Sequence, residues 1–560
     1  MAKFAKITIL FFMLIFGIWS CASQIGPSGG EIDKTPPEIT FIYPKDKTVN
    51  YGENFIEIEF SEYVDKRSVQ DAIFISPSVK GKIEYSWSGT SVELMFEDSL
   101  RKNITYTVTV GTDVIDLNNR NNLAQAYSFT FSTGPEIDFC SIEGKVYDKN
   151  PLGIFIFAYQ LTDTIPNPIT QKPEYISQVG ARGNYKISGM APSTYRIFAV
   201  NDSFRDMLYN AGDDKYACPF SDITLTKSDS LYTSLNFRLS VEDTIAPAVS
   251  NVTMTDKNHI LVEFSEPVDS SQLSAKNFSI FDSTSAIQHN VRYLFKGKNK
   301  AGKYFLSFSD SLVLANENYL IVKNIFDKSG NNLTNQSYSF TVSVKPDTTA
   351  PTIQSLETEY PGKTIDFLNP YFILNFDDAI DDGNLSQSIS IKNKNKKVIG
   401  FSHTKIDDAS FRININEELK SKEDYKIEFK YKFINDAAGN NLDTATYKSN
   451  IITINEMEFS GLSGKVEKTE DDGVIVEIAN VEFPEVKYHS KIKESQVFNF
   501  QRVRPGKYIL WGYVDKNVND KFDYGKVKPF EYSEKFSVYP DTLKLGARWP
   551  VGDVDLKFKK

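Results

Sequence analysis

Residues 262–269 read VEFSEPVD, two carboxylates and a hydroxyl gathered around a proline. Acids so placed can move protons or hold a hard cation, provided that further groups converge on them. The stretch recurs: IEIEFSEYVD ends at Asp65, ILVEFSEPVD at Asp269 and FILNFDDAID at Asp381. Three copies, with no histidine drawn into the pattern and with Asp378 where the others carry Glu62 and Glu266, predict a loop start rather than a catalytic pair. A weak cation site at these loops stays open.

A second candidate is DKNVNDKFDYG, residues 515–525, which sets Asp515, Asn517, Asn519 and Asp523 at alternating positions suited to Ca²⁺. It departs from the EF-hand pattern, because Asp520 stands where the turn glycine belongs and Lys526 where the bidentate glutamate would be. NDSFRDMLYNAGD keeps Asp202, Asp206 and Gly212 of the same loop. The competing reading is an Asx-rich turn whose side chains bond their own backbone. Ca²⁺ is the only cofactor suggested, and none is required. Cys140 and Cys218 either close a disulfide or stay as buried thiols, and sequence leaves the two open. The four histidines, 259, 289, 403 and 489, have no cysteine or second histidine at zinc-ligand spacing.

The elements that must position these residues are strands. Ile56, Ile58 and Phe60, then Ile260, Val262 and Phe264, then Phe372, Leu374 and Phe376 alternate with polar neighbours, the period of a half-buried strand. Around each copy a proline leads (Pro37, Pro247, Pro351) and a leucine-containing turn precedes a tyrosine (Tyr106, Tyr319, Tyr425). A polar turn follows, DLNNRNNL, DKSGNNL or DAAGNNL. Units of this size with close turn signals predict an immunoglobulin-like sandwich, and the leucine–turn–tyrosine landmark predicts a tyrosine corner. A second repeat family matches SIEGKVYD to GLSGKVEK and aligns Pro192 with Pro505 and Tyr195 with Tyr508. With 41 phenylalanines and 29 tyrosines and no sustained helical periodicity after the first segment, the fold class is all-β, as tandem β-sandwiches. A net charge of −10 spread along the chain argues against nucleic acid as a partner.

Lys3 and Lys6 precede an apolar run from Ile7 to Trp19, the pattern of an export signal. Its end, GIWSCASQ, resembles the lipobox of bacterial lipoproteins, although Trp19 is bulkier than that pattern usually shows; the resemblance implies lipidation of Cys21. Gly, Ser and Pro then make a flexible tether. The GKV strand, proline turn and tyrosine strand resemble transthyretin-like or carboxypeptidase-regulatory-like modules. From Cys21 through the EFSE repeats to ARWPVGDVDLKF the chain resembles Bacteroidetes-type outer-membrane lipoproteins with bacterial Ig-like (SbsA-type) domains.

The expected parse is a signal peptide (1–20), a tether (21–34), an Ig-like domain (35–136), a regulatory-like domain (137–242), Ig-like domains at 243–345 and 346–455, and a regulatory-like domain (456–560). The resemblance implies an outer-membrane, lipid-anchored protein, on the periplasmic or the cell-surface face, with a protein or glycan partner. No phosphate loop, nucleophile elbow or catalytic triad order is found, so the expected role is a non-enzymatic scaffold or adhesion module. The alternatives are an accessory subunit of an outer-membrane complex and a carbohydrate-binding protein using Trp87, Trp511 or Trp549. Asp98-Ser99-Leu100 and Asp541-Thr542-Leu543 are similar to the O-glycosylation sequon of that phylum, although such pairs also favour turns. Five domains in line predict a semi-rigid rod.

Overall fold

The computed structural model describes residues 33–77, 79, 81–162, 165–297, 302–467, 473–492 and 496–558. The signal peptide, Cys21 and nearly all of the tether lie outside the described residues. The chain divides into two compact units, the first Met1–Pro166, Pro173–Ala199 and Asp222–Phe237, the second Asn167–Lys172, Val200–Ser221 and Arg238–Lys560.

In the first unit, Phe55–Phe60 lies between Ile39–Tyr43 and Ser91–Phe96 in a four-stranded antiparallel sheet closed by Ile83–Ser88. A second sheet orders Ile73–Ser76, Thr105–Val110 and Tyr127–Ser132. The alternation explains the sandwich: Ile56, Ile58 and Phe60 point inward with Val92, Leu94, Tyr106, Val108 and Phe131, all buried in one core. The expected tyrosine corner forms, since Tyr106 Oη accepts the Arg101 amide at 3.0 Å. Lys66–Ala72 is a single short helix capped by Asp65, whose carboxylate accepts the Ser68 amide. The acid at the end of the repeat is therefore a cap, a role distinct from that of Glu62.

The same unit holds the strands Asn184–Met190, Cys140–Tyr147 and Leu231–Tyr232 of a four-stranded sheet, the last running parallel to its neighbour. Here the glycine of the GKV motif has a physical reason. A Cβ on Gly144 would stand 1.9 Å from the Leu235 carbonyl oxygen, so only glycine lets the chain pass.

In the second unit the Ig-like arrangement appears twice more. Val249–Asp256, His259–Phe264, Lys303–Ser307 and Tyr293–Phe295 form one sheet in that order, facing Ile287–Asn290, Phe278–Asp282, Asn318–Phe326 and Asn332–Phe340. Ile353–Thr358, Tyr371–Phe376, Ser410–Ile415 and Phe401–Asp407 repeat it in the third Ig-like domain. Tyr425 keeps the corner, accepting the Lys420 amide at 3.3 Å. Tyr319 does not: Asn318, Leu320 and Val322 are the inward residues, so Asn318 occupies the position of Tyr106 and Tyr319 points to the half-exposed face. The landmark is shifted by one residue, and with a period of two that reverses its face.

The last domain pairs Ser460–Glu467 with Val497–Val503 and, in parallel, with Val551–Lys557, against a sheet of Lys487–Lys491, Val474–Asn480, Gly506–Val514 and Phe536–Val538. A Cβ on Gly464 would meet the Val554 carbonyl oxygen at 1.8 Å, repeating the constraint at Gly144. The aligned tyrosines also make the same bond. Tyr195 Oη donates to the Ala191 carbonyl at 2.8 Å and Tyr508 Oη to the Arg504 carbonyl at 2.9 Å.

The expectation of domains strung in line fails within the second unit. Tyr216 Oη donates to the Gly525 carbonyl at 2.8 Å, and Ser533 donates through its amide and its hydroxyl to the Pro219 and Cys218 carbonyls. The end of the chain thus packs on the segment Val200–Ser221, held also by the Arg238 guanidinium 4.0 Å above the Trp511 ring.

Candidate functional site

Each Ig-like domain gathers three acids from three separated landmarks. They are the aspartate four residues before the leading proline, the acid just beyond the repeat strand, and the aspartate opening the polar turn. The sets are Asp33, Glu62 and Asp116; Asp243, Glu266 and Asp327; Asp347, Asp378 and Asp436. Within each set one carboxylate oxygen from every residue lies within 4.8 Å of the others. The geometry follows from the strand: its last inward residue, Phe60, Phe264 or Phe376, is buried, and the acid two positions on stands at the rim of the core.

The turn aspartate is the fixed member. Asp327 Oδ1 accepts the Ser329 and Asn331 amides at 2.8 Å each, and Oδ2 accepts Asn331 Nδ2, which also donates to the Asp243 carbonyl at 2.9 Å. Asn121 and Asn440 make the same double contact with Asp116 and Asp436. Burial would raise the pKa of Asp116 and Asp327, but these donors outweigh it and hold both below the ordinary value. Glu62 and Glu266 are pushed up, first by burial and then by their aspartate neighbours. Among the described residues, no lysine or arginine forms an ion pair with any of the nine acids. An all-oxygen set with no counter-charge suits a hard cation chemically.

In the third set a histidine enters from the second Ig-like domain. His259 Nδ1 is 2.9 Å from Asp256 Oδ1, and Nε2 is 3.1 Å from Asp378 Oδ1. The ring is buried and packs edge-on against Phe295 and Phe305. Burial alone would favour the neutral imidazole, but hydrogen bonds and charge from Asp256 and Asp378 prevail and raise its pKa to about 10. Asp256 is lowered in return, against the effect of its own burial. The joint extends along the edge strand, where the Leu294 amide donates to Asp408 and the Lys296 amide to Asp407. A cleft of about 260 Å³ lined by Asp256, His259, Phe295, Asp347 and Asp378 opens beside it.

The candidate loop of the last domain is closed by its own hydrogen bonds. Asp515 Oδ1 accepts the Asn519 backbone amide and Oδ2 the Asp520 backbone amide, both at 3.0 Å, and Asp523 Oδ2 accepts the side-chain Nδ2 groups of Asn517 and Asn519. Asp520 adopts φ 63° at the glycine-like position. The equivalent Asp202 accepts the Arg205 and Met207 amides. Cys140 and Cys218 are both buried, and no disulfide joins them; Cys140 Sγ instead donates to the Thr226 carbonyl at 3.7 Å. Trp511 is buried with its Nε1 donating to Glu477, whereas Trp549 is 78% exposed.

Sequence reasoning placed Glu62, Glu266 and Asp378 at a loop start but missed their partners and His259, the first residue of the second repeat strand. The signal was present in the aspartate before each proline, in DKTPP, DTIAP and DTTAP, and in the aspartate of each polar turn.

Residues 33–133 and 347–459 match the model of a bacterial Ig-like domain. No curated protein matches the chain. Among solved structures, the N-terminal part of the bacterial S-layer protein SbsC is 17% identical over 37% of this chain and 44% of that one, less than half of its length, with a TM-score of 0.17. SbsC(31–844) is 11% identical over 90% of this chain and 67% of that one, with a TM-score of 0.16. The four N-terminal Ig domains of Dscam1 are 8% identical over 65% and 88%, with a TM-score of 0.17. The chain is nearly all β, built of β-sandwiches, and carries bacterial Ig-like domains.

Proposed function

We propose that the protein is a non-enzymatic, lipid-anchored component of the cell envelope whose β-sandwiches act as a scaffold or adhesion module for a protein or glycan partner. The observation that carries this reading is the way domains of the second unit are locked to one another. The Arg502 guanidinium lies 2.6 Å from Asp366 and over the rings of Phe367 and Phe459, Arg504 donates to the Glu359 carbonyl, and His259 bridges to Asp378. Such contacts spend charged and aromatic groups on fixing geometry, as a load-transmitting object requires. Among the described residues the acids of the three sets cluster with one another and with amides. Anchoring at the outer membrane through Cys21 follows the lipobox-like sequence, and a glycan-binding form of the role would use the exposed Trp549.

The test is crosslinking and co-purification from intact cells, with protease accessibility to assign the membrane face. A reproducible envelope partner and retention in the membrane fraction, lost in Cys21→Ala, are expected. A chain that remains soluble with Cys21 intact would overturn the anchoring, and turnover of an envelope substrate would overturn the scaffold.

A further inference from the structure

Asp347 carries a buried carboxylate oxygen that accepts no hydrogen bond. Its side chain is 7% exposed, Oδ1 accepts the Thr349 amide at 3.2 Å, and Oδ2 has no hydrogen-bond partner. Leaving such an atom unmet is costly. The other two Ig-like domains show what is missing. Asn118, two residues after Asp116, donates to Asp33 Oδ2 at 2.8 Å, and Ser329, two residues after Asp327, donates to Asp243 Oδ2 at 3.3 Å. The corresponding residue after Asp436 is Ala438, which has no side-chain donor.

His259 does not fill the gap. Its Nδ1 is committed to Asp256 at 2.9 Å and stands 3.9 Å from Asp347 Oδ2, beyond hydrogen-bond range. Four carboxylates, Asp256, Asp347, Asp378 and Asp436, thus gather around a single histidine ring that hydrogen-bonds only two of them, Asp256 and Asp378. The bonds that Asp378 accepts from His259 and from the Ala379 amide both go to Oδ1, which leaves Oδ2 for another ligand. The cleft lined by Asp347 and Asp378 gives water and ions a route in.

We propose that a divalent, oxygen-preferring cation of the Ca²⁺ class is bound by Asp347, Asp378 and Asp436. It meets the orphaned Asp347 oxygen and supplies the missing positive charge, with water completing the six to eight oxygens such an ion takes. His259 is a positioning residue here: it holds Asp378 by one oxygen and is not a ligand.

The experiment is equilibrium dialysis of the full chain against Ca²⁺ up to about 5 mM, above the range of weak extracellular modules, with bound metal counted per chain and melting followed in Ca²⁺ and in chelator. The expected result is Ca²⁺ retained by the wild type with a higher melting temperature. Asp347→Asn should bind one equivalent fewer and lose part of that rise, while His259→Gln keeps the equivalent. Should Asp347→Asn not fold, exposed Ala438→Asn restores the amide donor of the first domain beside Asp347 and should weaken that equivalent about tenfold or more. A wild type that binds no Ca²⁺ overturns the proposal. So does an Asp347→Asn chain with unchanged stoichiometry, an Ala438→Asn chain of unchanged affinity, or loss of the equivalent in His259→Gln but not in Asp347→Asn.

Discussion

His259 Nε2, in the second Ig-like domain, lies 3.1 Å from Asp378 Oδ1 in the third, and the same ring reaches Asp256 at 2.9 Å through Nδ1. Removing the imidazole takes from Asp256 and Asp378 the one side-chain ring that bridges them among the described residues. In chelator, His259→Gln is expected to destabilise the second unit by about 3 kcal/mol in urea unfolding, the scale of breaking a buried pair. A double-mutant cycle with Asp378→Asn should show coupling of about 1–3 kcal/mol. Additive effects would mean that the contact carries no energy.

Gly464 is the tightest point of the last domain, because the parallel strand Val551–Lys557 crosses directly over it. Gly464→Ala should cost about 3 kcal/mol, and Gly144→Ala should do the same in the first unit, since backbone rather than a flexible side chain must move. Thermal melts of both variants, beside a control alanine at open Gly400, check this.

Asp327 fastens its turn as a carboxylate with a pKa held below the ordinary value by Asn331 and the turn amides, against its own burial. A lowered acid stabilises the folded state fully above its unfolded pKa, near 4, and that contribution disappears as pH falls through the folded value. Asp327→Asn should therefore be less stable than wild type at pH 7, with the gap closing on acidification below about pH 4. A gap independent of pH would assign the effect to packing instead.

Arg502 combines a 2.6 Å contact to Asp366 with two aromatic rings at 4.2 and 4.4 Å. Arg502→Ala should cost about 2 kcal/mol and speed proteolysis between the third Ig-like and last domains. Arg502→Lys should recover little, because an ammonium cannot reproduce the planar stacking. Full rescue by lysine would reduce the joint to simple charge pairing.

Cys140 is buried, and burial with a coulombic contribution from Asp138 raises its pKa. Native protein should resist maleimide at pH 7, and both Cys140 and Cys218 should label on unfolding. Labelling of neither thiol in non-reducing denaturant would demonstrate a disulfide.

The sandwich was legible because its signal is local. Ile56, Ile58 and Phe60 alternate within one strand, and alternation alone assigns the buried face. The shared turn of the second repeat pair was equally visible, since Pro192–Tyr195 and Pro505–Tyr508 carry their constraint within a few residues. The carboxylate sets were not visible as sets, because Asp347, Asp378 and Asp436 are remote along the chain and meet only after two sheets have closed. His259 was overlooked for a related reason: its partners belong to a different domain, where no periodicity could point. Tyr319 shows the opposite failure, a matching letter at the wrong parity, whose place is taken by Asn318.

The bond between Tyr216 and Gly525 joins residues 309 positions apart. Closing so large a loop is entropically slow and must follow completion of the intervening sandwiches. The segment around Cys218 is therefore made long before its cover, and only the arrival of Ser533 shields those carbonyls. Loss of the bonds from Ser533 would leave that early segment bare to proteases, so the latest closure guards backbone that has waited longest for it.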